Sequence, residues 1–480
     1  ALRLVGGTLG ALRGRRREVV AGHLIDALGS ALTAASWSIP ALLVGWSLLE
    51  GIGAALVLPA LVALTASSYQ GRDRALAFGV LGGVAGAGIA VGPLLGGWVT
   101  ANLTWRLVFV GEVGVAAAVI IAAPMLIPAP AKAAKIPRLD GVGAALSAAG
   151  LCLIVFGVLQ ATSWGWLKPR NPPFEVVGFS PTPFAVAGGI VLLWLFGNWQ
   201  RRRESRGEDP LVQMHLFAQA PLRAGLTTAA SQNLILMGVF FAIPLYLQIV
   251  QGLDAFETGV RMLPVSVTLF ITAMAGSLLA SRWSPRTIVR AGFVVMLVAC
   301  LALLGTVDAE LNDLTFGIAM GVLGVGMGLI ASQIGNIVQS SVAANDRSEA
   351  GGLQFTAQQL GSSLGTALVG AVVISGLVTA FLANVENDPR IATTVRDQVS
   401  IVLEGDVSFV AADLVRDGAR EAGVDEPTVN ALVEGYEESQ LTALKTGLLI
   451  AALLSLLSLM FTRHLPAGRT GEAVPAPRQE

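Results

Sequence analysis

The chain has 480 residues, of which 54% are hydrophobic and 13% charged, and its formal net charge at pH 7 is −1. Soluble domains carry about 25% charged residues. This composition therefore excludes an ordinary soluble protein, and the near-neutral charge gives no reason to expect a nucleic-acid partner. Apolar runs of about 18 residues or more recur along the chain. Because helices satisfy their own backbone hydrogen bonds in lipid, these runs predict an all-α polytopic membrane protein.

Twelve full transmembrane helices are predicted, and residues 1–10 are expected to be the end of another. The predicted spans are 19–37, 40–66, 75–100, 106–128, 141–162, 183–200, 223–249, 257–281, 289–306, 315–341, 352–382 and 441–462. We expect an N-terminal helical bundle over 1–200, a cytoplasmic connector at 201–222, a C-terminal helical bundle at 223–382, an extracytoplasmic helical loop at 383–440, a last span at 441–462 and a cytoplasmic tail at 463–480.

Three carboxylates fall inside predicted spans, namely Asp26, Glu50 and Glu112. An ionised carboxylate is costly in lipid, so we expect each of them to face a cavity or a partner. Carboxylates in such places are candidates for proton exchange or for contact with a cationic substrate. The alternative is an internal hydrogen bond, for example between Asp26 and His23, three residues earlier on the same helix face.

The third predicted span is rich in glycine. Gly88, Gly92 and Gly96 recur every fourth residue, Pro93 interrupts the backbone hydrogen bonds, and Gly97 follows. Small residues at this spacing predict a close approach of a neighbouring helix, which is also found in unrelated membrane proteins.

Polar side chains form a second group in the later spans. They are Gln232, Asn233, Gln333, Asn336 and Gln358. They are candidates for lining a cavity with neutral hydrogen-bonding groups, and hydrogen bonds between packed helices are an equal alternative.

The loop at 383–440 is long and acidic. Asp425-Glu426-Pro427 predicts a helix start, and Val429, Leu432, Val433 and Tyr436 would form one apolar face of that helix. We therefore predict a small helical hairpin outside the membrane. It is either a structural cap, or a segment that docks an unidentified protein partner or takes part in gating.

Loop charge predicts the orientation. Basic residues are concentrated in alternate loops, as at 13–17 and 201–206, whereas the opposite short loops carry Arg106, Lys168 and Arg170. The excess of positive charge inside places the first set of loops and the C-terminus in the cytoplasm. Arginine strongly outnumbers lysine, which is typical of a high-GC bacterial genome and therefore indicates a bacterial inner membrane.

Several stretches resemble the major facilitator superfamily. Gly88 to Gly97 is similar to the antiporter motif of its drug:proton antiporters, and Gly7, Gly14, Arg15 and Arg16 match the cytoplasmic loop motif between family helices two and three. Further family-like stretches are 49–55, 105–109, 138–140, 241–247 and 361–365. The resemblance implies a two-bundle fold of the fourteen-helix subgroup, with two central linker helices at the end of 1–200. On that register we expect the first family helix and most of the second to be missing from this chain.

Three positions depart from the family pattern. Ala11 and Ser281 stand where the loop motif and its half-repeat normally have an acid, and Ser47 stands where the fourth family helix often has an arginine. The resemblance therefore supports a transporter more strongly than it supports the usual proton-coupling residues.

The resemblance implies a secondary active transporter that exports drugs or other amphipathic small molecules in exchange for protons. The alternatives are a dedicated exporter of one metabolite or lipid, and a non-transporting membrane scaffold or sensor. The sequence contains no nucleophile–base set or nucleotide loop, and its three histidines and two cysteines form no cluster, so we predict no enzyme activity, no metal and no cofactor.

Overall fold

Helices make up almost all of the regular structure. The computed structural model describes residues 15–69, 84, 88, 91–92, 94–127, 140–169, 172–208, 210–280, 282–343, 346–396, 399 and 409–467. Within these ranges the β-structure amounts to one isolated bridge between Val176 and Phe179. Ten helices in the same ranges are long and apolar enough to cross a membrane. The predicted all-α polytopic fold is confirmed.

The longer helices are labelled in chain order. They are α1 (Arg15–Ala34), α2 (Ile39–Leu42, a π-helical segment Leu43–Glu50, and Gly51–Ser68), α3 (Arg106–Leu126), α4 (Gly141–Trp164), α5 (Pro181–Ser205), α6 (Ala220–Leu245), α7 (Ala255–Leu279), α8 (Pro285–Thr306), α9 (Asp313–Ser340), α10 (Arg347–Asn387), α11 (Ala412–Glu421) and α12 (Glu426–Phe461).

Most predicted spans coincide with these helices. The first span corresponds to α1, which is a 20-residue helix but carries three arginines in its first turn. Its charge explains why it is not among the ten apolar candidates. Most of the predicted span 75–100 lies outside the described residues, as do Gly7, Gly14 and Pro93 of the two family-like motifs.

Helix α12 differs from the expected hairpin. It starts as predicted, since the Asp425 side chain accepts a hydrogen bond from Thr428 N–H. The predicted apolar face is buried, including Val429 and Tyr436. However, the helix continues for 36 residues without a break, about 54 Å at 1.5 Å per residue. Hydropathy changes near residue 440, but no proline or glycine interrupts the backbone there, so the helix does not end.

Segments before α12 pack against its first half. The Gln440 amide donates a 2.7 Å hydrogen bond to the Val410 carbonyl, and the Tyr436 hydroxyl bonds the same residue. Asn384, near the end of α10, donates to the Gly435 carbonyl at 3.1 Å. This part of the predicted loop is therefore an ordered extension of α10, α11 and α12.

The chain divides into two compact units. One comprises Ala1–Leu151, Val191–Arg223 and Val338–Thr356, and the other comprises Cys152–Ile190, Ala224–Ile337 and Ala357–Glu480. Several helices contribute residues to both units. The segment boundaries expected from the sequence, such as those at 200 and 223, remain predictions.

Asp140 joins the start of α4 to the end of α5 in the first unit. It is 4% exposed and accepts hydrogen bonds from Gly143 N–H, the Trp199 indole and the Gln200 amide, at 2.9, 3.0 and 2.7 Å. Burial alone would raise the pKa of Asp140, but these hydrogen bonds and the charge of Arg203 together lower it below the ordinary value of 3.8.

Gln200 extends this network to the connector. Its side-chain oxygen, Oε1, accepts hydrogen bonds from Leu211 N–H and Val212 N–H. Glu349, in the first turn of α10, accepts from Gln213 N–H. The connector backbone is therefore held from two sides by side chains of α5 and α10.

We expect Asp140→Asn to destabilise the protein by about 1–3 kcal/mol at neutral pH, because the new amide cannot accept both sets of hydrogen bonds. A lowered folded-state pKa means that the wild-type contribution is present above the unfolded pKa and is lost as pH falls through the folded pKa. The difference in free energy of unfolding between wild type and variant should therefore become smaller below about pH 4.

Thermal unfolding of the purified proteins across this pH range measures both effects. Asp413→Asn is the matched control, since Asp413 has a side chain that is 80% exposed and forms only a surface ion pair with Arg416. Equal unfolding temperatures for wild type and Asp140→Asn at pH 7 would contradict the assignment.

Candidate functional site

Helices α1 and α2 approach each other through glycine. A Cβ atom at Gly29 would lie 2.8 Å from both Glu50 N and Gly45 O, and a Cβ at Gly53 would lie 2.9 Å from Asp26 N. Both glycines therefore allow backbone contact between the two helices. In lipid, where helices gain little from burying apolar surface, such close packing is a main source of association.

The close approach brings Glu50 against α1. Its Oε1 accepts a 3.1 Å hydrogen bond from the Ser30 hydroxyl, and the Thr33 hydroxyl lies 3.4 Å away. Thr33 makes a shorter bond, 2.9 Å, to the Gly29 carbonyl. Because a hydroxyl donates one proton at a time, Ser30 is the better donor to Glu50. Glu50 also ends the π-helical segment of α2, a geometry that is frequent at functional sites.

Glu112 reaches the same place from α3, which packs on α1. The Ser30 hydroxyl is within hydrogen-bonding reach of Glu112 as well as Glu50. The charge of Glu112 interacts with those of Glu50 and Asp26. Glu50 and Glu112 therefore share Ser30, and the charge of Asp26 acts on both of them; all three carboxylates are half-buried. Together with Ser30 we call them the acid cluster.

In the described parts of the chain, the acid cluster has no ion pair with a lysine or arginine, since none lies within ion-pair distance of its carboxylates. His23 interacts with Asp26 through charge, but its Nδ1–H donates to the Val19 carbonyl at 2.9 Å. The alternative of a hydrogen bond between His23 and Asp26 is not observed. Neighbouring carboxylates without such an ion pair form an arrangement that suits a shared proton or a bound cation.

A group of aromatic side chains and one arginine connects α1, α2 and α3 at a second place, near the turn between α1 and α2. Arg106 donates a 2.8 Å hydrogen bond to the Ser36 carbonyl, just after α1, and its guanidinium lies 4.6 Å from the centre of the Trp105 ring. Phe109 makes edge-to-face contacts with both Trp46 and Trp105. This group closes the α1–α2 turn against the start of α3. Three of its members, Trp105, Arg106 and Phe109, belong to the family-like stretch at 105–109.

Two of the glutamines predicted as cavity residues make interhelical hydrogen bonds in the second unit. Gln232 of α6 donates to the Met327 carbonyl at 2.9 Å, and Gln333 of α9 donates to the Gly276 carbonyl at 3.0 Å. Both residues are buried. These contacts fit the packing alternative better than a role in lining a cavity.

The other polar candidates are more accessible. Asn233 is half-buried and donates to the Ala229 carbonyl within its own helix. Asn336 is exposed and Gln358 is half-buried. Their accessibility is compatible with a cavity wall, and their role stays a prediction.

The glycine motif is only partly described. A Cβ atom at Gly88, Gly92 or Gly96 would meet no atom within 4 Å among the described parts of the chain, whereas Gly97 is buried. Arg15 and Arg16 of the loop motif begin α1. The expected close packing of the glycine span remains a prediction, and the close helix pair that the structure does show is α1 with α2.

Sequence reasoning missed Ser30, Thr33 and the glycines that bring them to Glu50. The available signal was Gly22 and Gly29, seven residues apart on one face of α1. A Cβ at Gly22 would also crowd α2, at 2.7 Å from Val57.

The helices define a polytopic membrane protein. Residues 1–366 match the family model described as Major Facilitator Superfamily. The chain belongs to the Major Facilitator Superfamily. It is therefore a multi-pass secondary transporter that acts on a small molecule, and the prediction that it is not an enzyme is confirmed.

Several relatives among known proteins are bacterial export proteins or transporters. The chain is 27% identical to the tetracenomycin C resistance and export protein of Streptomyces glaucescens, over 99% of this chain and 84% of that protein. It is 30% identical to a probable actinorhodin transporter of Streptomyces coelicolor, over 82% and 67%. It is 29% identical to the multidrug efflux pump LfrA of Mycolicibacterium smegmatis, over 86% and 78%. Relatives of this kind place the chain in a bacterial inner membrane.

Solved structures show the same fold. A bacterial homologue of the human lysosomal transporter Spinster, in an inward-facing and occupied conformation, has a TM-score of 0.56 at 15% identity and covers 95% of this chain and 84% of its own. An auto-inhibited peptide transporter of the POT family has a TM-score of 0.55 at 15% identity, covering 98% and 89%.

We expect Gly29→Ala to destabilise the protein by about 1–3 kcal/mol, because its Cβ would meet backbone atoms that cannot rotate away. Gly51→Ala is the matched control on α2. A Cβ there meets no described atom within 4 Å, so its higher helix propensity should leave stability unchanged or raise it by up to about 1 kcal/mol. Thermal unfolding in detergent compares the two, and a Gly29→Ala protein as stable as wild type would refute the close approach.

Proposed function

We propose that the chain is a proton-coupled exporter of drugs or other amphipathic small molecules. The observation that carries the proposal is the acid cluster: Glu50 and Glu112 share the Ser30 hydroxyl, Asp26 is close enough for its charge to act on both, and no described lysine or arginine forms an ion pair with them. The printed names of three relatives, an antibiotic resistance and export protein, a probable actinorhodin transporter and a multidrug efflux pump, support export as the direction of transport.

Glu50 and Glu112 share one hydrogen-bond donor in this proposal. Both interact with Ser30, whose hydroxyl can donate to one carboxylate at a time. A proton or a cationic group arriving at one carboxylate would release Ser30 to the other. Asp26 adds negative charge and keeps the site attractive to cations. Exchange of a proton for a cationic or polar part of the substrate would then couple export to the proton gradient.

We also propose the family's two-bundle arrangement for the transport cycle. The helices of 1–200 and 223–382 would rock about a central cavity, giving alternating access. The charge pattern supports a cytoplasmic C-terminus and an extracytoplasmic loop at 383–440. The motif register supports the fourteen-helix subgroup. The acidic loop would be the place for a protein partner.

A dedicated exporter of one compound is the second candidate. Two of the named relatives carry a single compound in their names, whereas LfrA and the Bacillus subtilis protein MdtP are named as multidrug proteins. Resistance of an expressing strain to several unrelated toxic compounds would favour multidrug export, and resistance to one would favour the dedicated exporter. A scaffold or sensor predicts that no compound is moved.

Glu50→Gln in the full-length protein tests the coupling role. Coupling energies of 1–3 kcal/mol correspond to about 5–150-fold, so we expect uptake into everted vesicles driven by a pH gradient to fall about tenfold or more. Exchange of substrate across proteoliposomes without a gradient should persist. Glu437→Gln, an exposed residue of α12, is the control and should behave as wild type.

Two results would contradict the proposal. Gradient-driven transport that is unchanged in both Glu50→Gln and Glu112→Gln would remove the acid cluster from coupling. Wild-type protein that moves no compound from a broad panel, with or without a pH gradient, would support the scaffold or sensor.

A further inference from the structure

A groove of about 940 Å³ lies on the second unit, between α8, α10 and α12. Ten of its twelve lining residues are apolar, among them Val294, Leu368, Val372, Leu453, Leu457 and Met460. Leu453 and Leu457 are 50% exposed and Met460 is 57% exposed. The groove therefore opens to the surroundings of the protein, which at these positions of membrane-spanning helices is lipid.

The two remaining lining residues are arginines, Arg290 and Arg463. Arg290 lies in the second turn of α8, and Arg463 lies just after the end of α12. Both therefore stand at the same end of the groove. Neither guanidinium forms an ion pair with a carboxylate of the described residues.

Local hydrogen bonds hold this end in place. Arg290 Nε donates to the Thr462 hydroxyl at 2.9 Å. The neighbouring Arg286 donates to the Leu465 carbonyl at 2.8 Å, which fixes the segment after α12 against α8. Arg290 uses Nε in its bond to Thr462, so the two terminal nitrogens of its guanidinium have their donors left for another acceptor.

We propose that this groove binds an acidic glycerophospholipid. Its acyl chains would lie along the apolar walls, and its phosphate would lie between Arg290 and Arg463. From Ile450 to Arg463 the groove follows 13 residue steps of α12 and the turn after it, about 20 Å. One leaflet of the hydrocarbon core is about 15 Å thick. The groove is thus about 5 Å longer than one leaflet of the hydrocarbon core, which puts its charged end at the level of the headgroups.

The charge of the groove selects among occupants. Basic pockets between membrane helices are typical binding places for anionic headgroups. A helix from a second copy of the chain would cover the apolar walls but leave two guanidinium groups without a counter-ion, which is costly. A cationic export substrate would be repelled. The lipid site is therefore separate from the acid cluster and does not depend on the proposed function.

Purified full-length protein in a neutral detergent allows a direct test. Melting temperature is measured against added phosphatidylglycerol, phosphatidylcholine and inorganic phosphate. We expect stabilisation by phosphatidylglycerol that exceeds that by phosphatidylcholine, and none by inorganic phosphate. In the double variant Arg290→Gln/Arg463→Gln the apparent affinity for phosphatidylglycerol should fall about 30-fold, equivalent to ~2 kcal/mol.

Two further variants separate lipid binding from general effects. Arg282→Gln removes an exposed arginine before α8 that does not line the groove, so it should keep the preference for phosphatidylglycerol. Leu453→Trp should fill the groove while leaving both arginines in place, and it should weaken phosphatidylglycerol binding. Leu449→Trp, an exposed α12 position outside the groove, is its control.

Several outcomes would overturn the proposal. Equal stabilisation by the two lipids, or an unchanged preference in the double variant, would exclude an acidic lipid at this place. An equal effect of inorganic phosphate would mean an anion site without a lipid. If the double variant does not fold, native mass spectrometry of Leu453→Trp and Leu449→Trp decides, since lipid retained equally by both would exclude the groove.

Discussion

The missing side chains of Gly29 and Gly53 determine where the carboxylates of the first unit lie. With a Cβ at either position, α1 and α2 could not keep backbone atoms at their present distance. Ser30 and Thr33 would then move away from Glu50, and the acid cluster would open. Packing in lipid relies on such contacts, because the hydrophobic effect contributes little between helices that are already in an apolar solvent. The hydrogen bonds of Glu50 therefore depend on two glycines that do not themselves contact its carboxylate through a side chain.

The fold was accessible from the sequence because its main signal is strong. Long apolar runs have few interpretations in a membrane, so the helices from α3 to α10 lie close to their predicted positions. The three half-buried carboxylates were also identifiable, because charge inside an apolar span is rare and costly. Their convergence was not, since it depends on which faces of α1, α2 and α3 meet. Periodicity in an all-apolar helix does not define such a face.

Other features depended on information that a single hydropathy profile lacks. The position of Asp140 just before an apolar span gives no sign that it is buried. It is buried because Trp199 and Gln200, at the end of α5, donate hydrogen bonds to it. The sequence leaves Gln232 and Gln333 with two possible roles, lining a cavity or bonding between helices. Their hydrogen bonds to backbone carbonyls of neighbouring helices favour the second role. The change in polarity near residue 440 predicts a boundary between a loop helix and the last span, but α12 continues through it. A helix ends where its backbone loses partners, and polar residues between 437 and 440 keep theirs.

Helix α12 joins two surfaces that are far apart in the second unit. Its first half carries the packed segment around Val410, and its last residue precedes the arginine end of the lipid-facing groove. In a continuous helix of this length that moves as a rigid body, a tilt of about 5° about its midpoint moves each end by about 2 Å, in opposite directions. Any molecule that fixes one end therefore restricts the positions available to the other. A ligand at the groove that favours one tilt of α12 would thus favour the same tilt at its first half, and by thermodynamic reciprocity the two affinities would change by the same factor.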